Sequence, residues 1–136
     1  MKHQHFDVET AGFYGAYWAC AGGSDCAVIA MIGDDPEDWL ARSAVKWLCG
    51  RGVNVLTMSP AKKDYGHHNY PLERVETAIS WLKANGNHKI GIAGASTTGT
   101  LALTAAAMFP DVTLTIAMTP SDFVWQGFMQ GKRDGC

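Results

Sequence analysis

A stretch of mostly apolar residues, Lys89-Ile90-Gly91-Ile92-Ala93, runs into Gly94-Ala95-Ser96-Thr97-Thr98-Gly99 and then into an Ala/Leu-rich segment. That order of residue types predicts a strand, a tight turn carrying Ser96, and a helix: the arrangement of a nucleophile elbow. A serine so placed projects its hydroxyl from the end of a sheet, and small neighbours let the backbone reverse without clashes. Amides at the start of the following helix can hold the oxyanion that forms when the serine oxygen attacks a carbonyl. The spacing assigns Ser96 as nucleophile and the N–H of Thr97 as one oxyanion donor. The plainer alternative is that Ser96 caps the helix, as serine commonly does.

A second donor should come from the loop after the central strand, Ile32-Gly33-Asp34-Asp35-Pro36, where the N–H of Asp34 is the choice. Gly33 lets the chain turn, and Pro36 has no N–H to give. The same residues read equally well as a turn and helix cap. Carboxylates pointing inward would oppose a developing oxyanion, so Asp34 and Asp35 are expected to face solvent or the helix end.

Other chemistry-bearing residues carry less. His67 and His68 are adjacent, point in opposite directions in an extended loop and lack metal-ligand spacing, which makes them surface residues. Asp122, in Thr119-Pro120-Ser121-Asp122, offers a carboxylate near the catalytic edge or simply a turn; Phe123 and Trp125 line an acyl pocket or only pack. The four cysteines, Cys20, Cys26, Cys49 and Cys136, show neither a close pair nor a cysteine/histidine cluster. They are expected as free thiols, although Cys20 and Cys26 flank a turn-like stretch. No metal and no cofactor is implied.

These residues need elements to hold them. Strands are expected at 13–18, 26–32, 53–58, 90–93 and 112–118, the first two joined as an antiparallel hairpin by the Gly22-Gly23 turn. A first helix over 36–49 starts at Pro36 with Asp34 or Asp35 as cap, and buries Leu40, Ala44, Trp47 and Leu48. A second begins near Pro71, buries Leu72, Val75, Ile79 and Leu82, and closes at Asn85-Gly86. A third runs from the Ser96 turn to Met108. Strands separated by single helices call for parallel pairing, hence a three-layer α/β sheet. The long irregular segment 59–70 should leave the carboxyl edge of the third strand, where ligands of such sheets bind.

The 136 residues, 47% hydrophobic, suit one domain, and a net charge of −2 without long runs excludes an electrostatic footprint for nucleic acid or an anionic membrane. With no basic leader and no apolar run long enough to cross a bilayer, a cytoplasmic location and a small-molecule partner are expected. A flavodoxin-like nucleotide binder is disfavoured, because no glycine pattern has the spacing of a phosphate loop or dinucleotide fingerprint.

From about Ser24 onward the chain resembles the acyl-CoA thioester hydrolase/bile acid-CoA:amino acid N-acyltransferase C-terminal family of α/β-hydrolases, close to dienelactone hydrolases. The resemblance rests on 28–33, the 72–82 helix, Gly91-Ile92-Ala93-Gly94-Ala95-Ser96 with Leu101-Ala102-Leu103, Phe109-Pro110-Asp111-Val112, and Thr119-Pro120-Ser121-Asp122-Phe123-Val124-Trp125-Gln126-Gly127. It implies a thioesterase or acyltransferase that forms an acyl-enzyme. Ser96 would be the nucleophile, Thr97 and the Gly33-Asp34 turn the oxyanion hole, and an acyl ester or thioester such as acyl-CoA the substrate.

Two departures stand out. The family has glycine two residues beyond the nucleophile, where this chain has Thr98. All five histidines precede Ser96, whereas the family places acid and then histidine after it. The expectation is therefore a single, incomplete α/β-hydrolase domain over 1–136, holding the sheet up to about its fifth or sixth strand and truncated at its C-terminus. It would be a serine acyl hydrolase without its triad acid and histidine. The alternative is a non-catalytic binding or assembly module, completed by a second copy or a complementing C-terminal fragment.

Overall fold

The computed structural model describes residues 3–60 and 69–124. In chain order the elements are β1 (Gln4–Phe6), α1 (Val8–Ala11), β2 (Gly15–Trp18), β3 (Cys26–Met31), α2 (Trp39–Cys49), β4 (Asn54–Met58), α3 (Glu73–Ala84), β5 (Lys89–Ala95), α4 (Thr97–Met108) and β6 (Val112–Met118). They form one six-stranded sheet in the order β1-β2-β4-β3-β5-β6. β3 is parallel to both β4 and β5, and β5 is parallel to β6. The expected α/β-hydrolase layering is thus present up to the sixth strand.

The central strands are largely apolar because both faces are covered, as parallel strands with crossover helices require. One face packs Ala16, Trp18, Val28, Ala30, Val55 and Ala93 against Val45 and Leu48 of α2. The other sets Ile29, Met31, Leu56, Met58 and Ile92 against Val75, Ala78, Ile79 and Leu82 of α3 and Ala102 and Ala105 of α4. From β3 the chain crosses through α2 to one side, and β5 lies on the other side of β3. Loops leaving β3 and β5 therefore diverge to opposite faces, opening a crevice at the carboxyl edge, where ligands of such sheets sit.

Three expectations are corrected. β2 does not form a hairpin with β3; it pairs antiparallel with β4, and β1 pairs antiparallel with β2. The physical reason is Thr57 on β4. Its hydroxyl accepts from the Trp18 indole N–H at 3.1 Å and lies 3.0 Å from the Ala16 carbonyl oxygen and 2.6 Å from that of Pro36, contacts that put β4 beside β2. β1 and α1, three and four residues long, are too short to leave a periodic pattern. Helix α2 starts at Trp39 rather than Pro36, because the Asp38 carboxylate, not Asp34 or Asp35, accepts the Ala41 N–H at 2.8 Å. Its buried stripe is Ala41, Val45 and Leu48, with small Ala41 at the close approach, while Leu40 and Trp47 stay exposed.

The second and third helices lie where expected, with Val75, Ile79 and Leu82 buried. Cys20, Cys26 and Cys49 are free thiols. Cys20 follows β2 and Cys26 opens β3, with β4 between those strands. Cys136, Trp125, His67 and His68 lie outside the described residues.

Candidate functional site

The turn after β5 is built around one unusual backbone conformation. Ser96 has φ 54° and ψ −121°, a positive φ that a side chain rarely adopts. Such a residue costs about 1–3 kcal/mol and persists only where its surroundings over-determine it. Here the Ser96 N–H donates to the Met118 carbonyl at 2.9 Å, the Thr100 N–H donates to the Ser96 carbonyl at 3.1 Å, and the Ala95 N–H donates to the Thr98 hydroxyl at 2.9 Å. The exposed Ser96 side chain makes no capping hydrogen bond to α4. The plain capping role is therefore not the one seen.

Small residues admit this geometry. A Cβ on Gly94 would overlap the Thr98 backbone carbonyl, and one on Gly99 would lie 3.0 Å from the Met118 oxygen and 3.3 Å from that of Gly94. Thr98 stands where the resembled family has glycine, in the first turn of α4. Its side chain is buried and its hydroxyl lies 2.6 Å from the Met31 carbonyl oxygen of β3. Thr97 opens α4, in the first turn where helix amides lack intrahelical acceptors.

Across the crevice stands the loop after β3, turned by Gly33 at φ 96°. The Asp34 N–H expected to serve an oxyanion donates to Asp38 Oδ2 at 2.8 Å, and the Asp35 N–H donates to the same oxygen at 3.2 Å. In this structure that amide is engaged by a carboxylate, which an oxyanion would have to displace. The loop is further braced by the Ser59 hydroxyl, donating to the Asp34 carbonyl at 2.8 Å, and by Asp35 Oδ1, accepting the Glu37 N–H at 2.8 Å. Sequence reasoning missed Asp38 because only the folded loop brings its carboxylate under Gly33.

Two cavities flank the first turn of α4. One, of about 270 Å³, is the crevice itself, lined by Met31, Gly33, Asp34, Leu40, Ala95 and Thr97 among others. The second, of about 260 Å³, is bounded by Pro60, Tyr70, Leu72, Thr97, Leu101 and Val124 among others. Desolvation pushes the Tyr70 phenol up to about 12, so it enters that cavity as a neutral donor or acceptor. Phe123 is exposed. Asp122 is exposed in the bend after β6.

The described histidines are held elsewhere. His3 pairs with Glu37 and stacks on Trp18, His5 Nδ1 lies 2.8 Å from Glu37 Oε2, and His88 precedes β5. His88 is thus separated from Ser96 by the length of β5, roughly 25 Å at the rise of an extended strand. Among the described residues no group of three or more His, Cys, Asp or Glu could hold a metal ion. No described helix is long and apolar enough to cross a membrane.

The sequence matches no family model and no curated protein. Solved structures do resemble the fold. An esterase of Pyrococcus furiosus is similar at TM-score 0.65 and 20% identity over 88% of this chain and 49% of its own. Est1E of Butyrivibrio proteoclasticus is similar at TM-score 0.65 and 19% identity, over 88% and 51%. A protein of unknown function from Agrobacterium tumefaciens, provisionally placed among the α/β hydrolases, is similar at TM-score 0.66 and 14% identity, over 90% and 63%. The chain spans about half to two-thirds of the length of these structures, and over that span it has the α/β-hydrolase fold.

Proposed function

We propose that the chain carries the nucleophile half of a serine acyl hydrolase acting on an ester or thioester, acyl-CoA being one such substrate. The observation that carries this reading is the backbone of Ser96, held at positive φ with its side chain free of any capping role. Strain of that kind collects at functional sites, where it aims a side chain. The Ser96 oxygen attacks the substrate carbonyl and loses its proton to a base. The carbonyl oxygen becomes an oxyanion against the Thr97 N–H and, once Asp38 gives way, the Asp34 N–H. Collapse expels the alcohol or thiol and leaves an acyl-serine, which water hydrolyses.

His3 and His5 are engaged by Glu37, His88 precedes β5, and the resembled family takes its acid and histidine from residues after the nucleophile, so this chain alone is expected to react slowly. Without its base a triad site retains only a small remnant of its rate, from oxyanion binding and substrate positioning. A full rate calls for an imidazole within reach of the Ser96 hydroxyl. The free thiols Cys20, Cys26 and Cys49 fit a reducing, cytoplasmic setting. Intact-mass measurement after exposure to an activated fluorophosphonate tests the reading. The expected result is one adduct per chain, absent from Ser96→Ala and faster in any longer form that adds a histidine. Equal labelling of Ser96→Ala would remove it.

A second reading, a non-catalytic assembly module, is favoured by β6. Among the described residues it pairs only with β5, and Leu114, Ile116 and Met118 are exposed on it. Failure of every form to label, together with stable association of copies, would select that reading.

A further inference from the structure

We infer that the Thr98 hydroxyl is a positioning group that sets the width of the crevice between the Ser96 turn and the Gly33-Asp34 loop. The parallel ladder of β3 and β5 runs in register to Met31 opposite Gly94, and beyond that pair the two chains part toward opposite faces of the sheet. At the fork lies Thr98 Oγ1. It accepts the Ala95 N–H at 2.9 Å and is 2.6 Å from the Met31 carbonyl oxygen and 2.9 Å from that of Ala95. A hydroxyl has one proton to give. The shorter contact identifies Met31 as its acceptor, so the bond runs from Ala95 through Thr98 to β3.

A threonine in a helix ordinarily returns its hydroxyl to a carbonyl three or four residues back, which here is Ala95. Reaching across to Met31 makes the side chain a rung between the strands, with one oxygen inserted where two backbones would otherwise meet. Thr98 is 6% exposed, so water is a poor substitute at this rung. Removing the hydroxyl leaves the Ala95 N–H and the Met31 carbonyl to close on each other or to stay unpaired. Thr98 also lines both cavities beside α4, which places it as the wall between them. The distance from Ser96 to the Gly33-Asp34 loop is therefore spanned through this side chain. The catalytic consequence rests on the reading of Ser96 as nucleophile; the geometric role does not.

Amide hydrogen exchange on the full chain tests the role in wild type, Thr98→Ser and Thr98→Val. The expected result is a protected Ala95 amide in wild type and Thr98→Ser. In Thr98→Val, Ala95 should exchange about tenfold faster, the scale of one lost hydrogen bond. The Gly33 and Asp34 amide resonances should shift in the same variant while those of α3 stay in place. An unprotected Ala95 amide in wild type would overturn the inference, as would a Thr98→Ser variant as disturbed as Thr98→Val. Wild-type protection and its retention by serine are decisive even if valine prevents folding, and Thr98→Ala then supplies the variant without hydroxyl. In fluorophosphonate labelling, Thr98→Val should lower the maximal rate with reagent affinity unchanged, and serine should restore it. If no form labels while the exchange pattern holds, the nucleophile reading fails and the role of Thr98 stands.

Discussion

At the scale of the residue, the site is a set of contacts that hold Ser96 in a conformation it would not choose. Gly94 is the clearest case, since any Cβ there runs into the Thr98 backbone. Gly94→Ala should lose about 3 kcal/mol or more, in the range of the severe single substitutions, when unfolding is followed in urea. A loss below about 1 kcal/mol would show that the turn relaxes. Asp38 poses a sharper question, because its carboxylate caps α2 at Ala41 and also occupies the amides of Asp34 and Asp35. Asp38→Ala should cost about 1–2 kcal/mol as a lost cap. It also frees the Asp34 N–H and removes a negative charge from beside the oxyanion. Fluorophosphonate labelling of Ser96, measured where the variant is fully folded, should therefore speed up; slower labelling would mean that the shape given to the loop by Asp38 outweighs the amide it withholds.

At the scale of elements, polar contacts at the amino edge of the sheet do what short strands cannot do by burial alone. Buried Asn87 accepts from Asn54 Nδ2 of β4 at 2.8 Å and donates to the Leu82 carbonyl of α3 at 3.1 Å. Asn54 in turn accepts the Cys20 N–H at 2.9 Å. This chain of bonds ties the exits of β2 and α3 to the start of β4. Asn87→Ala leaves buried partners unsatisfied and should cost about 1–3 kcal/mol in thermal or urea unfolding, with the Ser96 turn unaffected. The same scale explains the phase of α2, which buries Ala41, Val45 and Leu48. Leu40 and Trp47 look like core by size, but a helix lying close on a sheet buries its small and β-branched side, here Ala41 and Val45.

At the scale of the whole molecule, the sheet is covered unevenly. Ile116 stands opposite Ala93, which belongs to the face packed under α2. On that face Leu114, Ile116 and Met118 remain 56%, 39% and 43% exposed. Among the described strands β6 is also the edge of the sheet, and an apolar edge strand is a template for pairing. The chain should associate with increasing concentration in sedimentation velocity, and Ile116→Lys should shift it toward monomer without lowering its helix content. A strictly monomeric wild type would show that this face is not sticky in solution and would weaken the assembly reading.

The sequence by itself determined the strand, turn and helix around Ser96 and the alternation that makes β3 to β6 parallel. Both are local: a Gly-x-Ser turn depends on its own small residues, and apolar runs broken by single helices leave little choice of layering. The tertiary structure decided the rest. It put β4 between β2 and β3, chose Asp38 over Asp34 and Asp35 as cap, engaged the Asp34 amide and sent the Thr98 hydroxyl across to Met31. The reason is that side-chain alternation tells a strand which face to bury but not which strand will lie beside it. A polar group near a turn likewise takes the partner that folding brings within about 3 Å, and that partner leaves no mark in the residues around it.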